Sequence, residues 1–306
     1  MNSKRLLKKA ASPQESFKEN LPCYIMIAPF ILLFILFLII PIAASVVLSL
    51  FDFDMVSAPR FIGFSNYFRM FFDDEVFVTI VKNTLVLALI TGPVGFALSF
   101  VLAWFLNEFK PFMRTLLSFM FYCPALVGNA YFIWQVAFSS DSYGYINSLL
   151  LSAGFITEPI NWLKDAAYVT PIIIVVQLWM SMGVGFLANI SGLQNVNAEM
   201  YEAGAIDGIR NRWQELWYIT LPNMKPQLLF GAVMTITSSL SVGAYGDMIV
   251  GFPSPNYATH TIVNHLNDYG AIRMEMGYAS AIAVILFLIM IICNMLIQKI
   301  LRKVGT

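Results

Sequence analysis

The residue types that carry enzyme chemistry are scarce in this chain and are not arranged as a catalytic site. The two histidines, His260 and His265, have no carboxylate or cysteine partner that the sequence reveals, so we interpret them as ordinary loop residues. The three cysteines, Cys23, Cys123 and Cys293, lie in or beside apolar runs, which favours buried thiols over a metal site or a disulfide framework. The sequence has no phosphate-binding glycine loop with lysine, no HExxH and no GxSxG. We therefore predict no catalytic residue and no metal site.

One polar stretch, YEAGAIDGIRNRWQELWYITLP at positions 201–222, interrupts two long apolar runs. Asn197 is placed to cap a helix over AEMYEAGAI, and Gly208 is placed to end that helix in the left-handed conformation. A second helix is predicted from about Arg212 to Ile219, ending at Leu221-Pro222. Its predicted apolar face consists of Trp213, Leu216 and Trp217. Two short helices with a glycine bend form either a knob for a groove on a cytoplasmic partner or a loop packed on itself at the membrane surface.

The elements around this stretch are predicted to be membrane helices. The chain of 306 residues is 58% hydrophobic and only 12% charged, with mean hydropathy +0.72, whereas soluble domains carry about twice that charged fraction. Six apolar runs reach the roughly 20 residues that a bilayer-crossing helix needs. The predicted spans cover about 22–50, 79–107, 113–138, 168–190, 227–250 and 276–299. The sequence thus predicts an all-α integral membrane protein with six transmembrane helices.

The placement of charge predicts the orientation of these helices. Thirteen of the eighteen Lys and Arg residues lie before the first span, between spans two and three, between spans four and five, or after the sixth. The positive-inside rule makes that side cytoplasmic, so both termini are predicted to be inside the cell. We expect a cytoplasmic tail over 1–20 and a transmembrane domain over 21–306. The outer segment 139–167 is predicted to contain a short surface helix.

The polar stretch also carries a family resemblance. Glu202-Ala203-Gly204, then Asp207-Gly208, then Ile219-Thr220-Leu221-Pro222 resembles the EAA loop of ABC importer permeases. The resemblance extends along nearly the whole chain and is to the carbohydrate-uptake type, the maltose, glycerol-3-phosphate and multiple-sugar permease group. Further matching positions are Gly63, Asn66, Tyr67, Asn83, Thr84, Pro124, Gly144, Asn147, Trp162, Leu163, Asp247 and the run Gly277–Ala281. Gly204 departs from the second alanine of the motif, and one extra residue separates Gly208 from Ile219.

The resemblance implies that residues 197–222 form a coupling loop held by a cytoplasmic ATPase. The residues it assigns to ATPase coupling are Glu202, Ala203, Gly204, Asp207, Gly208, Leu221 and Pro222. It implies as partners a second permease subunit in a heterodimer, two ATPase subunits, an external solute-binding protein and membrane lipid, with no nucleic acid. ATP and magnesium would be used by the ATPase, with no cofactor bound by this chain, in a bacterial cell membrane.

The sequence indicates the transported solute less clearly than it indicates ATP as the energy source. Sugars are bound by aromatic faces and hydrogen-bonding side chains, so polar and aromatic residues within the predicted spans are candidates for the pathway. These are Trp134, Gln135, Gln177, Trp179, Asn189 and Asp247. Asp247 lies near the outer end of span five and faces either a polar pathway or the membrane interface. Two alternatives stay open: a permease for another polar solute such as an amino acid, and a stand-alone channel or secondary carrier.

Overall fold

The computed structural model describes residues 20–241 and 243–301, so the predicted tail 1–20 lies outside the described residues except for Asn20. A two-stranded antiparallel hairpin joins β1 (Phe51–Asp52) to β2 (Arg60–Phe61), and every other regular element is helical. The helices are α1 (Leu21–Leu48), α2 (Ser65–Phe68), α3 (Phe77–Asn107), α4 (Pro111–Leu126), α5 (Phe132–Ala137), α6 (Tyr145–Ser152), α7 (Ala166–Met180), α8 (Val184–Gln194), α9 (Ala198–Ile206), α10 (Arg212–Glu215), α11 (Leu221–Asn223), α12 (Lys225–Leu240), α13 (Gly243–Val250), α14 (Ile262–Asn267) and α15 (Met276–Leu301). Wider π-helical turns occupy Ile35–Ile39, Arg69–Asp73, Leu216–Thr220 and Asp268–Ile272, and a 3-10 turn occupies Pro255–Tyr257.

Three helices in the described part of the chain are long and apolar enough to cross a membrane alone: α1, α3 and Met276–Lys299 of α15. The pair α7 and α8 meets the same criterion when taken as one span bent by 42°. The bend falls at Gly183, whose φ of −98° and ψ of −139° lie outside the helical region. The fourth predicted span is therefore broken.

The third and fifth predicted spans are also interrupted, which corrects the prediction of continuous helices there. α4 ends at Leu126, two residues after Pro124, and the chain becomes helical again as α5 at Phe132. Pro124 lies in the last turn of α4, where it removes a backbone donor and weakens the helix. α12 ends at Leu240, and α13 begins at Gly243.

The central packing unit consists of α3, α8 and α12, which contact one another pairwise. Small residues allow this close approach: a Cβ added to Gly185 in α8 would lie 2.9 Å from the carbonyl oxygen of Gly231 in α12. A Cβ at Gly92 in α3 would lie 2.9 Å from Ser239 Oγ. Small residues at helix contacts are typical of membrane bundles, where van der Waals packing replaces the hydrophobic effect. α3 therefore connects the two other core helices along its length.

The predicted surface helix within 139–167 is confirmed as α6. Asn147 near its start is fully buried and binds three separate parts of the segment. Its Nδ2 donates to the carbonyls of Ser139, Asp141 and Ile160 at 3.0–3.2 Å. Its Oδ1 accepts from Ile160 N and from Trp162 Nε1 at 3.1 and 2.8 Å. Asn147, one of the positions that carried the resemblance, thus acts as a structural centre of this segment.

Candidate coupling site

The first arm of the predicted coupling loop is α9, and local sequence signals determine both its ends. The Asn197 side chain accepts a hydrogen bond from Glu199 N at 3.1 Å, as expected for an N-cap. At the other end, Ile209 N donates to Gly204 O at 2.9 Å, and Gly208 N donates to Ala205 O at 3.4 Å. Gly208 has φ +96°, so the helix ends in a Schellman motif. The predicted bounds of this helix, and the role of Gly208 in ending it, are confirmed.

Gly204 lies on the inner side of α9 and is buried. A Cβ added there would lie 2.6 Å from Ile219 Cδ1 and 3.0 Å from Ile209 Cδ1, closer than ordinary contact. We expected Gly204 to let an ATPase approach, but the structure places it against the second half of the same loop. The missing side chain lets the two arms pack together.

The second arm begins at Asn211, whose side chain accepts from Gln214 N at 2.8 Å. It continues through α10, the π-helical turn Leu216–Thr220 and α11, so it does not end at Leu221-Pro222 as predicted but includes both residues. The wider turn accommodates Pro222, which lacks the N–H that a regular α-helix requires. Asn223 then donates from Nδ2 to Ile219 O at 2.7 Å, which satisfies a carbonyl near the end of the arm.

The aromatic face predicted for this arm is also corrected. Leu216 is buried, whereas Trp213 and Trp217 are 63% and 61% exposed. The π-helical turn that begins at Leu216 departs from the regular α-helical spacing on which the predicted face was based. Leu216 is packed into the protein, whereas the two tryptophans lie largely at the surface, Trp213 beside Trp104.

Side chains join the second arm to the end of α3. Arg212 Nη2 lies 2.7 Å from Glu108 Oε2, and Arg212 Nη1 lies 2.8 Å from Glu215 Oε2. The rings of Trp104 and Trp213 are 5.2 Å apart between centroids. The loop therefore contacts α3 in addition to the two helices that it connects along the chain.

The outward surface of α9 and the turn that follows it carry four of the seven residues assigned to ATPase coupling. Glu202, Ala203, Asp207 and Gly208 are all exposed, and Leu221 and Pro222 are half-buried in α11. Within the described residues, the Glu202 carboxylate makes no hydrogen bond or ion pair with the rest of the chain. A rigid arm with an unpaired carboxylate on its outer face is suited to meet a basic group on another protein.

The predicted pathway residues divide between two regions. Trp134 of α5 and Trp179 of α7 contact each other edge to face with centroids 5.5 Å apart. Asn189 is fully buried in the seam between the core helices, where its Nδ2 donates to Ser99 Oγ at 3.3 Å. Gln177 is also buried, and Gln135 and Asp247 are half-buried. The structure therefore brings the two tryptophans together and gives Asn189 a packing position.

Buried side-chain atoms in these regions lack partners within the described part of the chain. They are Trp134 Nε1, Gln177 Oε1 and Asn189 Oδ1. An unpaired buried polar atom costs about 1–3 kcal/mol, so each of these atoms has a reason to bind water or solute. Their role in a pathway stays a prediction.

A buried polar cluster at the opposite end of α3 was missed from the sequence. His265 Nε2 and Tyr278 Oη each lie 2.7 Å from Asp74 Oδ2. Burial raises the pKa of Asp74, but the hydrogen bonds from His265 and Tyr278 and the charge of His265 outweigh it and lower the pKa to about 2. Because an ionised carboxylate only accepts, His265 Nε2 is the donor in this hydrogen bond.

This cluster overturns the interpretation of His265 as a loop residue without a carboxylate partner. His265 lies in α14, its side chain is 6% exposed, and Asp74 is 191 residues away in the sequence. His260 is buried beside it, with ring centroids 5.9 Å apart. Burial, together with repulsion from His265, lowers the pKa of His260 to about 4. No local pattern predicts these contacts, because the fold alone brings the segments together.

Comparison with known proteins indicates the same family that residues 201–222 resemble. Residues 1–304 match the family of binding-protein-dependent transport system inner membrane components. The probable ABC transporter permease protein YesP of Bacillus subtilis is 31% identical over 289 residues, covering 92% of this chain and 91% of YesP. The arabinooligosaccharides transport system permease protein AraP of Bacillus subtilis is 30% identical over 278 residues, covering 90% of this chain and 87% of AraP. The lactose transport system permease protein LacF of Rhizobium radiobacter is 31% identical over 231 residues, 75% of each chain.

A solved structure has the same fold as this chain over nearly the full length of both chains. A chain of a bacterial ABC transporter involved in the import of the acidic polysaccharide alginate superposes with a TM-score of 0.78. The superposition covers 96% of this chain and 99% of that chain, at 23% sequence identity. The fold of the two chains is therefore the same.

Proposed function

Because the chain belongs to the family of binding-protein-dependent transport system inner membrane components, we propose that it is the permease subunit of an ATP-driven ABC importer for a sugar or sugar-like solute. Three relatives carry sugar or glycoside substrates in their names: arabinooligosaccharides, lactose and sulfoquinovosyl glycerol. The nearby tryptophans of α5 and α7 agree with such a cargo, since sugars stack on aromatic faces. Transport of another polar solute, such as an amino acid, remains the competing cargo.

The protein crosses the membrane six times in this proposal. Helical segments occupy all six predicted positions, with three as continuous helices and three as broken ones. Broken membrane helices are tolerated where their irregular backbone is buried in protein or lines a cavity, as in many transporters. The distribution of Lys and Arg supports a cytoplasmic location for the coupling loop and both termini.

The observation that carries the proposal is the geometry of the coupling loop. Its inner side is locked by the contact between Gly204 and Ile219, while its outer side presents the carboxylate of Glu202, which no residue in the described part of the chain pairs with. A rigid arm of this kind transmits a displacement rather than absorbing it. Coupling between ATP hydrolysis and transport requires such a two-state element, in which the free energy of one event shifts the other.

The chain is not itself the ATPase in this proposal. Two cytoplasmic ATPase subunits bind ATP and magnesium, each holding one coupling loop, and a second permease subunit completes the pathway as a heterodimer. An external binding protein delivers the solute, and closure of the ATPases switches the spans between outward and inward access. A stand-alone channel or secondary carrier needs none of these partners.

The test measures ATP hydrolysis by the purified, lipid-reconstituted complex in the presence of a panel of loaded solute-binding proteins. We expect one sugar-loaded protein to stimulate hydrolysis and Glu202→Ala to abolish the link between hydrolysis and uptake. Glu158→Ala, which removes an exposed carboxylate from the opposite side of the membrane, is the matched control and should behave as wild type. If only an amino-acid-loaded binding protein stimulates hydrolysis, the transported solute is an amino acid and not a sugar. No recoverable ATPase partner would favour a channel or carrier.

A further inference from the structure

We propose that Arg212 and Glu108 are positioning residues that transmit movement of the coupling loop directly to α3. The inference rests on the proposed function, because it specifies how force from the ATPase spreads through this chain. Through the backbone alone, the loop acts only on α8 and α12, the helices that precede and follow it. The ion pair adds a third route to a helix 104 residues away in sequence.

The placement of Glu108 supports this role. It is the C-cap residue of α3, immediately after Asn107. A carboxylate at a helix C-terminus is repelled by the partial negative charge of the helix dipole, so Glu108 gains nothing from its own helix. The Arg212 guanidinium, 2.7 Å away, offsets that repulsion from the coupling loop. The pair therefore gives Glu108 a favourable environment only while the second arm stays beside α3.

Arg212 is itself held in place from within the arm. Its other terminal nitrogen lies 2.8 Å from Glu215, one turn further along. Since the guanidinium is a planar fork, fixing one edge on Glu215 directs the other edge towards Glu108. The contact between Trp104 and Trp213 flanks the pair on the same two elements.

The link depends on few side chains because the arm and α3 do not pack continuously. A cavity of about 200 Å³ separates them, lined by Trp104, Glu108, Tyr201, Arg212 and Thr220. Continuous packing would distribute any force over many contacts, whereas here the ion pair and the tryptophan pair bridge the gap. Removing the pair should therefore change the transmission of movement more than it changes folding.

The closing experiment compares two single substitutions that each remove one carboxylate from the same arginine. Glu108→Gln cuts the bridge to α3, whereas Glu215→Gln cuts only the contact within the arm. In the reconstituted complex, the readout is solute imported per ATP hydrolysed, with assembly checked by co-purification of the ATPase. We expect Glu108→Gln to lower this ratio about two- to fivefold, the factor that an exposed ion pair of up to about 1 kcal/mol corresponds to. Glu215→Gln should lower it less than Glu108→Gln does, because Arg212 loses only part of its orientation and keeps its bond to Glu108.

Two substitutions of Arg212 test the same ion pair from its other partner. Arg212→Ala should match Glu108→Gln, and combining the two should lower the ratio no further. Arg212→Lys keeps one charge and should recover part of the loss. A wild-type ratio in Glu108→Gln, or an equal loss in Glu215→Gln, would overturn the proposal while leaving the proposed function intact. A wild-type complex with no ATP-dependent uptake would instead remove the proposed function and this inference with it.

Discussion

Gly204→Ala is the substitution for which sequence and structure predict opposite results. Taken as a helix position alone, alanine should stabilise α9 by about 0.5–1 kcal/mol, because glycine loses more backbone freedom on folding. The structure adds a clash, since the new Cβ would lie 2.6 Å from Ile219 Cδ1. Carbon atoms prefer a separation of about 3.5–4.0 Å, so the arms must separate or Ile219 must leave its rotamer.

The two effects can be weighed against each other. Overpacking costs about 1–3 kcal/mol, so after the helix gain Gly204→Ala should destabilise the closed loop by roughly 1 kcal/mol. Ile219→Val removes the Cδ1 methyl that makes the closer of the two contacts, the other being Ile209 Cδ1 at 3.0 Å. By itself this substitution costs about 0.5–1.5 kcal/mol. In the double variant the alanine methyl occupies the vacated space. We therefore expect the double variant to regain wild-type stability, with a favourable coupling energy of about 1.5–2.5 kcal/mol between the sites.

Hydrogen exchange of the backbone amides of α9, in the purified complex, measures this local opening free energy. A loss of about 1 kcal/mol corresponds to an exchange rate roughly fivefold faster in Gly204→Ala, and the rate should return to that of wild type when Ile219→Val is added. Gly128→Ala is the control, because a Cβ there meets no atom within 4 Å. Unchanged exchange in Gly204→Ala, or no rescue by Ile219→Val, would refute the reasoning.

Three further predictions concern the coupling surface and the outer segments. Glu202→Ala and Gly208→Val should each leave membrane insertion intact but uncouple ATP hydrolysis from uptake. Gly208→Val should do so because valine disfavours the φ of +96°. Wild-type uptake in both variants would contradict the assignment. Asn147→Leu should lower the free energy of unfolding of the segment 139–167 by about 2–4 kcal/mol, because it leaves several buried groups unpaired, as a thermal melt with wild type alongside would show. Since the pKa of His260 falls to about 4 in the folded protein, the unfolded chain alone gains a proton as the pH drops from 6.5 to 4. Stability should therefore fall by up to about 3 kcal/mol over that window, and His260→Phe should remove this dependence in melts across the same pH range.

Structural features that depend on a few neighbouring residues could be predicted from the sequence. Asn197 and Gly208 mark the two ends of α9 because capping depends on a few neighbouring residues. The three main continuous helices follow from the length of apolar runs, which backbone hydrogen bonding in lipid requires. The family resemblance then gave these elements a function that composition alone does not contain.

Contacts between distant segments were not predictable in the same way. The partnership of Asp74 with His265 depends on how α14 returns to the start of α3, and no nearby residue indicates it. The burial of Gly204 against Ile219 likewise requires the bend between the two arms. The break after Pro124 had a visible cause, but prolines are tolerated inside other helices of this chain, such as Pro93 in α3. Tertiary packing decides which proline ends a helix.

Uptake of labelled sugar into proteoliposomes tests the central claim most directly. The vesicles would contain this chain with its second permease and ATPase subunits, with ATP enclosed on the ATPase side and loaded binding protein on the other. We predict accumulation of the sugar above its external concentration, which stops without ATP or without binding protein. Sugar that only equilibrates across the membrane, at the same rate with and without ATP, would contradict an ATP-driven importer.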